Sequence, residues 1–153
     1  MTREYRISAG AIVIHQDKVL LVRYKVSSGK SYLVGPGGGV INDEGLNQAV
    51  VREVYEETSL EVSPRRILFI EDLALSQYRL VKIWFLCDLV GGQLESTQGA
   101  RDEGIVEVGW YRRDQLHNEV VYPPPLLTQN WDTFLKDGCE SIYLEMRNAD
   151  FDF

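Results

Sequence analysis

Apolar and polar positions along the chain fall into strand-like runs and two helical stripes. Residues 5–14 hold Ile7, Ala9, Ala11, Ile12, Val13 and Ile14, a small and β-branched set that favours a strand. The polar turn at residues 15–18 leads into a second run at 19–24, so a β-hairpin is predicted. Tyr32, Leu33 and Val34 form a short extended piece, cut off by Gly35-Pro36-Gly37-Gly38-Gly39. Strands are predicted at 67–75, 78–89 and 104–111, with a polar loop at 97–102 and a short helical turn starting at Asp114. Beyond the stiff Pro123-Pro124-Pro125 connector, Leu127, Trp131, Phe134 and Leu135 recur at i, i+4, i+7 and i+8, which predicts one amphipathic helix ended by Gly138. Ile142, Tyr143 and Leu144 are a candidate edge strand, and hence a candidate pairing edge for a homodimer. Strands mixed with two or three helices predict an α/β or α+β fold, a mixed sheet flanked by helices.

The second helical stripe carries the chemistry. A helix is predicted from about Asn42-Asp43, either of which can cap it, to Thr58. With Leu46 at zero and about 100° per residue, Val50 lies near +40° and Ala49 near −60°. Glu53 and Glu57 then fall near −20° and +20°, inside the apolar arc, and Glu56 flanks it near −80°. One face of this helix is therefore apolar in its first half and anionic in its second. Glu53 repels Glu57 at i,i+4 and Glu56 at i,i+3, and partial burial strengthens the repulsion. Glu56 and Glu57 also stand at the negative end of the helix dipole. Such an arc either raises its carboxyl pKa values or binds a cation, and carboxylate oxygens suit Mg²⁺ or Mn²⁺. Arg52 lies four residues before Glu56 and can orient a carboxylate without ligating metal.

Net charge sharpens that reading. The formal charge is −7. An acidic surface disfavours duplex nucleic acid and anionic membranes, and no run of about 20 apolar residues is present to span a bilayer. If the protein handles phosphates, bound cations must supply the positive charge. The two cysteines, Cys87 and Cys139, are far apart and form no metal knuckle, and free thiols suit a reducing, cytoplasmic setting. His15 and His117 each stand alone.

Gly38, Glu44, Arg52-Glu53-Val54, Glu56-Glu57 and Leu60 match the signature of the Nudix hydrolase family: Gly, five residues, Glu, seven residues, Arg-Glu, an aliphatic, any residue, Glu-Glu, any residue, Gly, an aliphatic. Six positions match by residue identity, a coincidence on the order of 10⁻⁵ over all starting points. Ser59 stands where the family has Gly. That glycine ends the helix in a left-handed conformation, which serine adopts at a cost of roughly 1 kcal/mol.

The resemblance implies a Nudix-type α/β/α sandwich over residues 1–153, with about 123–153 as a C-terminal helix and strand extension of one domain. It implies a metal-dependent pyrophosphohydrolase that cleaves the diphosphate linkage of a nucleoside-diphosphate derivative by water attack at phosphorus. The substrate would be a small molecule, a nucleotide sugar, ADP-ribose-type compound or nucleoside triphosphate. By position, Glu53, Glu56 and Glu57 match the family's metal-binding glutamates, and the Gly37 or Gly38 carbonyl is a further candidate ligand. Arg52 matches the residue that orients them, and Glu44 a supporting acid. The general base is either Glu53 or Glu103, with Asp102 and Glu107 as lesser options. Gly38 within the motif, and Arg23 and Tyr32 outside it, are candidates for substrate contact, with Lys25, Arg79 and Trp110 as lesser ones. The competing reading is a Nudix-fold domain that senses a nucleotide without turnover. Isomerase chemistry on an isoprenoid diphosphate needs Cys and His around the metal, which this chain lacks at suitable positions.

Overall fold

The computed structural model describes residues 3–149. Nine strands form one mixed sheet: β1 (Glu4–His15), β2 (Lys18–Lys25), β3 (Ser31–Val34), β4 (Gly37–Gly39), β5 (Leu60–Ala74), β6 (Tyr78–Gly92), β7 (Ile105–Arg112), β8 (Val121–Tyr122) and β9 (Ile142–Asn148). The order is β8-β3-β2-β1-β6-β5-β9, with β4 paired to β1 and β7 to β2. β1 and β2 meet antiparallel at Ile14 and Val19, as the hairpin reading expects, while β1 runs parallel to β6 over its length. Helix α1 (Leu46–Thr58) covers one face, and α2 (Gln98–Asp102), α3 (Pro125–Thr128) and α4 (Trp131–Leu135) close other sides.

β1 organises the core because its side chains alternate between two apolar clusters. Ala9, Ala11 and Val13 pack with Ala49, Val50 and Val54 of α1. Ile12 on the opposite face packs in a second cluster with Leu33, Phe69, Trp84, Leu126 and Phe134. The alanines give α1 a close approach, and that approach places the end of the helix against β4.

Besides β4, formed by the glycine run expected to break the chain, and the unpredicted β8, three helical segments depart from the sequence pattern. Helix α1 begins at Leu46, not near Asn42, because Asn42 is left-handed (φ 50) and cannot continue a right-handed helix. Its start is closed by the Gln48 side chain accepting from the Gly45 amide at 2.7 Å. The polar stretch after Thr97 is a helix, capped by the Thr97 hydroxyl accepting from Ala100 N at 3.0 Å. The predicted amphipathic helix is two short ones, because Gln129 is extended and Asn130 caps a fresh start at Trp131, its side chain accepting from Asp132 N. Leu126, Trp131 and Phe134 are buried there, while Leu135 is exposed.

The end of α1 is as the sequence predicts. Ser59 is left-handed (φ 65) and its amide donates to Tyr55 O at 2.9 Å. The loop before β8 is pinned to β2 by Arg23, whose guanidinium donates to both Glu119 carboxylate oxygens at 2.9 and 3.0 Å and to Ser31 Oγ at 2.8 Å. These hydrogen bonds hold the Glu119 carboxyl below its ordinary 4.5.

Replacing Ser59 by Gly removes the left-handed strain. Ser59→Gly is expected to raise stability by about 1 kcal/mol, or a few degrees in melting temperature, measured by thermal unfolding. The Arg23 pair makes a pH-dependent contribution. A depressed folded pKa stabilises above the ordinary value and is lost as pH falls below it. Glu119→Gln should therefore cost up to about 1 kcal/mol in urea unfolding at pH 7, the partly exposed pair being screened by solvent. The difference from the unsubstituted protein should shrink as pH falls below 4.5.

Candidate active site

Helix α1 delivers two carboxylates inward. Glu53 is 5% exposed and Glu57 1% exposed, so both lie on the buried arc that the helical periodicity predicts. Opposite them, a Cβ on Gly38 would lie 2.6 Å from the Glu53 carboxyl carbon, so only glycine fits there. Glu103 arrives from a different part of the chain. The Thr97 hydroxyl donates to the Glu56 carbonyl at the end of α1, and Glu95 N donates to Thr58 O at 2.9 Å. Gly99 permits the contact, since a Cβ there would stand 2.9 Å from that same carbonyl. Helix α2 is thereby docked on the end of α1, and the residue after it, Glu103, faces Glu53 and Glu57. One oxygen from each of these three acids lies within 4.8 Å of the other two.

The cluster is short of partners. Glu53 Oε2 and both carboxylate oxygens of Glu57 are buried without a hydrogen-bond donor. Burial pushes the Glu57 carboxyl well above its ordinary 4.5, and the charges of Glu103 and Glu53 push it further. Glu103 is raised for the same reasons, burial first and then Glu53 and Glu56. Convergent oxygens with no donor are what a hard divalent cation requires. The acids present therefore fit such an ion.

Arg52 holds the outer acids. Its Nη1 donates to Glu53 Oε1 at 2.9 Å and to Glu56 Oε2 at 3.1 Å. Nη2 donates to Glu44 Oε1 at 2.6 Å and to Gly39 O at 3.1 Å, and Nε donates to Glu44 Oε2 at 3.0 Å. Glu44 also accepts from Ile41 N at 3.0 Å. Together these donors lower its carboxyl to about 2. Arg52 thus fixes one oxygen of Glu53 and leaves the other free to face Glu57.

The predicted site residues divide accordingly. Glu53, Glu57 and Glu103 converge. Glu56 stays on the rim, half exposed and bonded to Arg52, outside the three-acid group. Gly37, Gly38 and Tyr32 line a cavity of about 470 Å³ that Glu103 also borders. Arg23 is not among its lining residues and is engaged by Glu119. Arg79 pairs with Asp72 at 2.5 Å, and Trp110 packs toward His15 with ring centres 5.9 Å apart. Sequence reasoning passed over Arg6, Tyr24, Tyr78 and Lys82, which line the same cavity. Lys82 had a signal: it is the single charge between Leu80 and Cys87 in an otherwise apolar strand.

No helix among the described residues is long and apolar enough to cross a membrane. A family model described as the NUDIX domain matches residues 4–131. An ADP-ribose pyrophosphatase of Methanocaldococcus jannaschii is 30% identical over 98 residues, covering 63% of this chain and 58% of that protein. An RNA pyrophosphohydrolase of Orientia tsutsugamushi (strain Boryong) is 38% identical over 133 residues, covering 76% of this chain and 81% of that protein. The chain spans only 30% of a human 8-oxo-dGDP phosphatase to which it is 34% identical over 103 residues. A crystal structure of a NUDIX hydrolase from Nitrosomonas europaea superposes with a TM-score of 0.73 at 21% identity, covering 97% of this chain and 82% of that one, a likeness of fold. With its signature acids gathered at one helix end and the family model matching most of its length, the chain belongs to the Nudix hydrolase family.

Proposed function

We propose that the protein is a divalent-metal-dependent pyrophosphohydrolase that cleaves the diphosphate linkage of a nucleotide derivative. The observation that carries this reading is the set of buried carboxylate oxygens on Glu53 and Glu57 that lack any donor. A module that only senses nucleotides has no need of mutually repelling acids in this position. Relatives named for ADP-ribose and for RNA pyrophosphate chemistry support the reaction class.

Glu53 and Glu57 would hold the cation, with Mg²⁺ or Mn²⁺ the fitting ions. When bound, such an ion neutralises phosphate charge and lowers the pKa of a water. Arg52 keeps Glu53 aimed inward. Glu103 is assigned as the proton acceptor for the attacking water. It is the more accessible acid of the three, and its raised pKa brings it toward the range where a general base works at neutral pH. The aromatic walls, with Tyr24 and Tyr32 stacked at 5.4 Å, offer an apolar face for a base or sugar. We read residues 123–149 as part of the same domain, because Leu126, Trp131 and Phe134 are buried in the cluster that holds Leu33 and Trp84, while 150–153 lie outside the described residues. The free thiols of Cys87 and Cys139 fit the reducing conditions of a cytoplasm.

The test is a panel of ADP-ribose, a UDP-sugar, ATP and dGTP with Mg²⁺ or Mn²⁺, followed by release of monophosphate or pyrophosphate. Turnover of at least one member is expected, and Glu57→Gln and Glu103→Gln should each lower kcat by about a hundredfold or more. Tight binding without turnover under both metals would favour the sensor reading. A second expectation concerns stability. Millimolar Mg²⁺ should raise the melting temperature of the unsubstituted protein, because the ion relieves the carboxylate repulsion. Glu57→Gln should raise the melting temperature of the metal-free protein and abolish the Mg²⁺ response. A Mg²⁺ response that survives Glu57→Gln would remove this acid from the metal set.

A further inference from the structure

Lys82 is a cation that the mechanism above does not use. It is partly buried on β6, paired in register with Glu71 of β5 and Ser8 of β1. Its side chain lines the cavity that Glu103 borders, and its charge interacts first with Glu71 and then with Glu57, Glu53 and Glu103. The ammonium lies 4.3 Å from the centre of the Trp84 ring and has no hydrogen bond or ion pair among the described residues. Glu71 does not need it as a counter-charge. Glu71 is 2% exposed, yet its Oε1 accepts from Trp84 Nε1 at 2.7 Å and its Oε2 from Arg147 Nη2 at 2.9 Å.

The ring beneath Lys82 is locked in place. Gly10 makes room for it, since a side chain there would collide with both the Trp84 ring and the Lys82 stem. The lock ends at Arg147, on β9, beyond the residues that the family model matches. Arg147 also reaches the other cavity wall. Its guanidinium lies 5.1 Å from the Tyr122 ring centre, Tyr122 meets Tyr32 edge-on at 5.8 Å, and Tyr32 stacks on Tyr24.

We propose that Lys82 receives a phosphate group of the substrate inside the cavity, and that Arg147, through Glu71 and Trp84, is the residue that positions it. Arg6, which lines the same cavity, and Arg52 are engaged by Glu4 and by the signature acids, so Lys82 is the cavity-lining cation left without an acceptor among the described residues, and a phosphate oxygen would supply it. The proposal rests on the hydrolase reading, and it gives the strand beyond the family-matched region a role in substrate binding.

The experiment uses the full chain with Mg²⁺ and whichever panel nucleotide it hydrolyses best. Lys82→Met should raise KM about tenfold with kcat within about threefold, and Lys82→Arg should restore most of the loss. Arg147→Met should raise KM about fivefold in the unsubstituted background and less than about twofold on top of Lys82→Met, a coupling that general destabilisation does not produce. Should Arg147→Met fail to fold, Arg147→Lys keeps the charge opposite Glu71 but withdraws the planar group from Tyr122. It should give a smaller KM rise that vanishes in the Lys82→Met background. An unchanged KM in Lys82→Met, or additive effects of the two substitutions, would overturn the proposal and leave the hydrolase reading standing. So would a KM rise in Lys82→Met that disappears once Mg²⁺ is re-titrated to its optimum for that variant, because Lys82 would then act through the acids. If no nucleotide is turned over, the hydrolase reading fails by itself, and calorimetry with inorganic pyrophosphate and Mg²⁺ decides on Lys82. About tenfold weaker binding by Lys82→Met supports the phosphate contact, and equal binding ends it.

Discussion

Mutual repulsion among three carboxylates is the constraint around which this fold is arranged. Glu53 and Glu57 are buried on one helical face, and Glu103 is brought to them by a second helix. Left to themselves, charges this close would separate or neutralise. The structure prevents separation by rigid means: α1 is seated on the alanines of β1, and α2 is bonded to the last carbonyls of α1. Arg52 then removes the outer acids from the problem, binding Glu44, Glu56 and one oxygen of Glu53 at once. What remains is a small set of oxygens without donors, which a proton or a cation would satisfy.

On the proposed reading, a chain with net charge −7 has to accept a polyanion. Net negative charge repels phosphate at long range, so attraction must be local. The carboxylate end of the cavity would supply it through a bound ion, and the sheet end through Lys82. Between them lie tyrosine rings and glycine backbone, which carry no charge and permit close approach. The division of labour follows from the elements. A helix brings acids together at three- and four-residue spacing, whereas a single strand sets a cation beside an aromatic ring at two-residue spacing.

Much of the acid cluster was legible in the sequence because the helical period is fixed. Glu53 and Glu57 had to share the arc of Val50 and Val54 once residues 46–58 were helical, and the left-handed Ser59 follows from its place at the helix end. The longer strands of the sheet were legible from their apolar patterning, but β4, a run of three glycines, and the two-residue β8 were not. Features that depend on tertiary contact were not. The five residues of α2 include Gly99, and their helicity comes from the Thr97 cap and from docking on α1, which leave no periodic trace. The break at Gln129-Asn130 hides inside a spacing that also suits a continuous helix. Arg23 read as a candidate phosphate ligand because its partner Glu119 lies 96 residues away. Alternation showed that Lys82 shares a face with Trp84, but not that this face opens onto a cavity.

The most direct test of the central claim is anomalous scattering from crystals soaked in Mn²⁺. A manganese peak bonded to carboxylate oxygens of Glu53 and Glu57, with Glu103 facing it, is the predicted result. Crystals that diffract well, carry Mn²⁺ elsewhere or in the solvent at millimolar concentration, and show these side chains turned apart with no peak between them would contradict it.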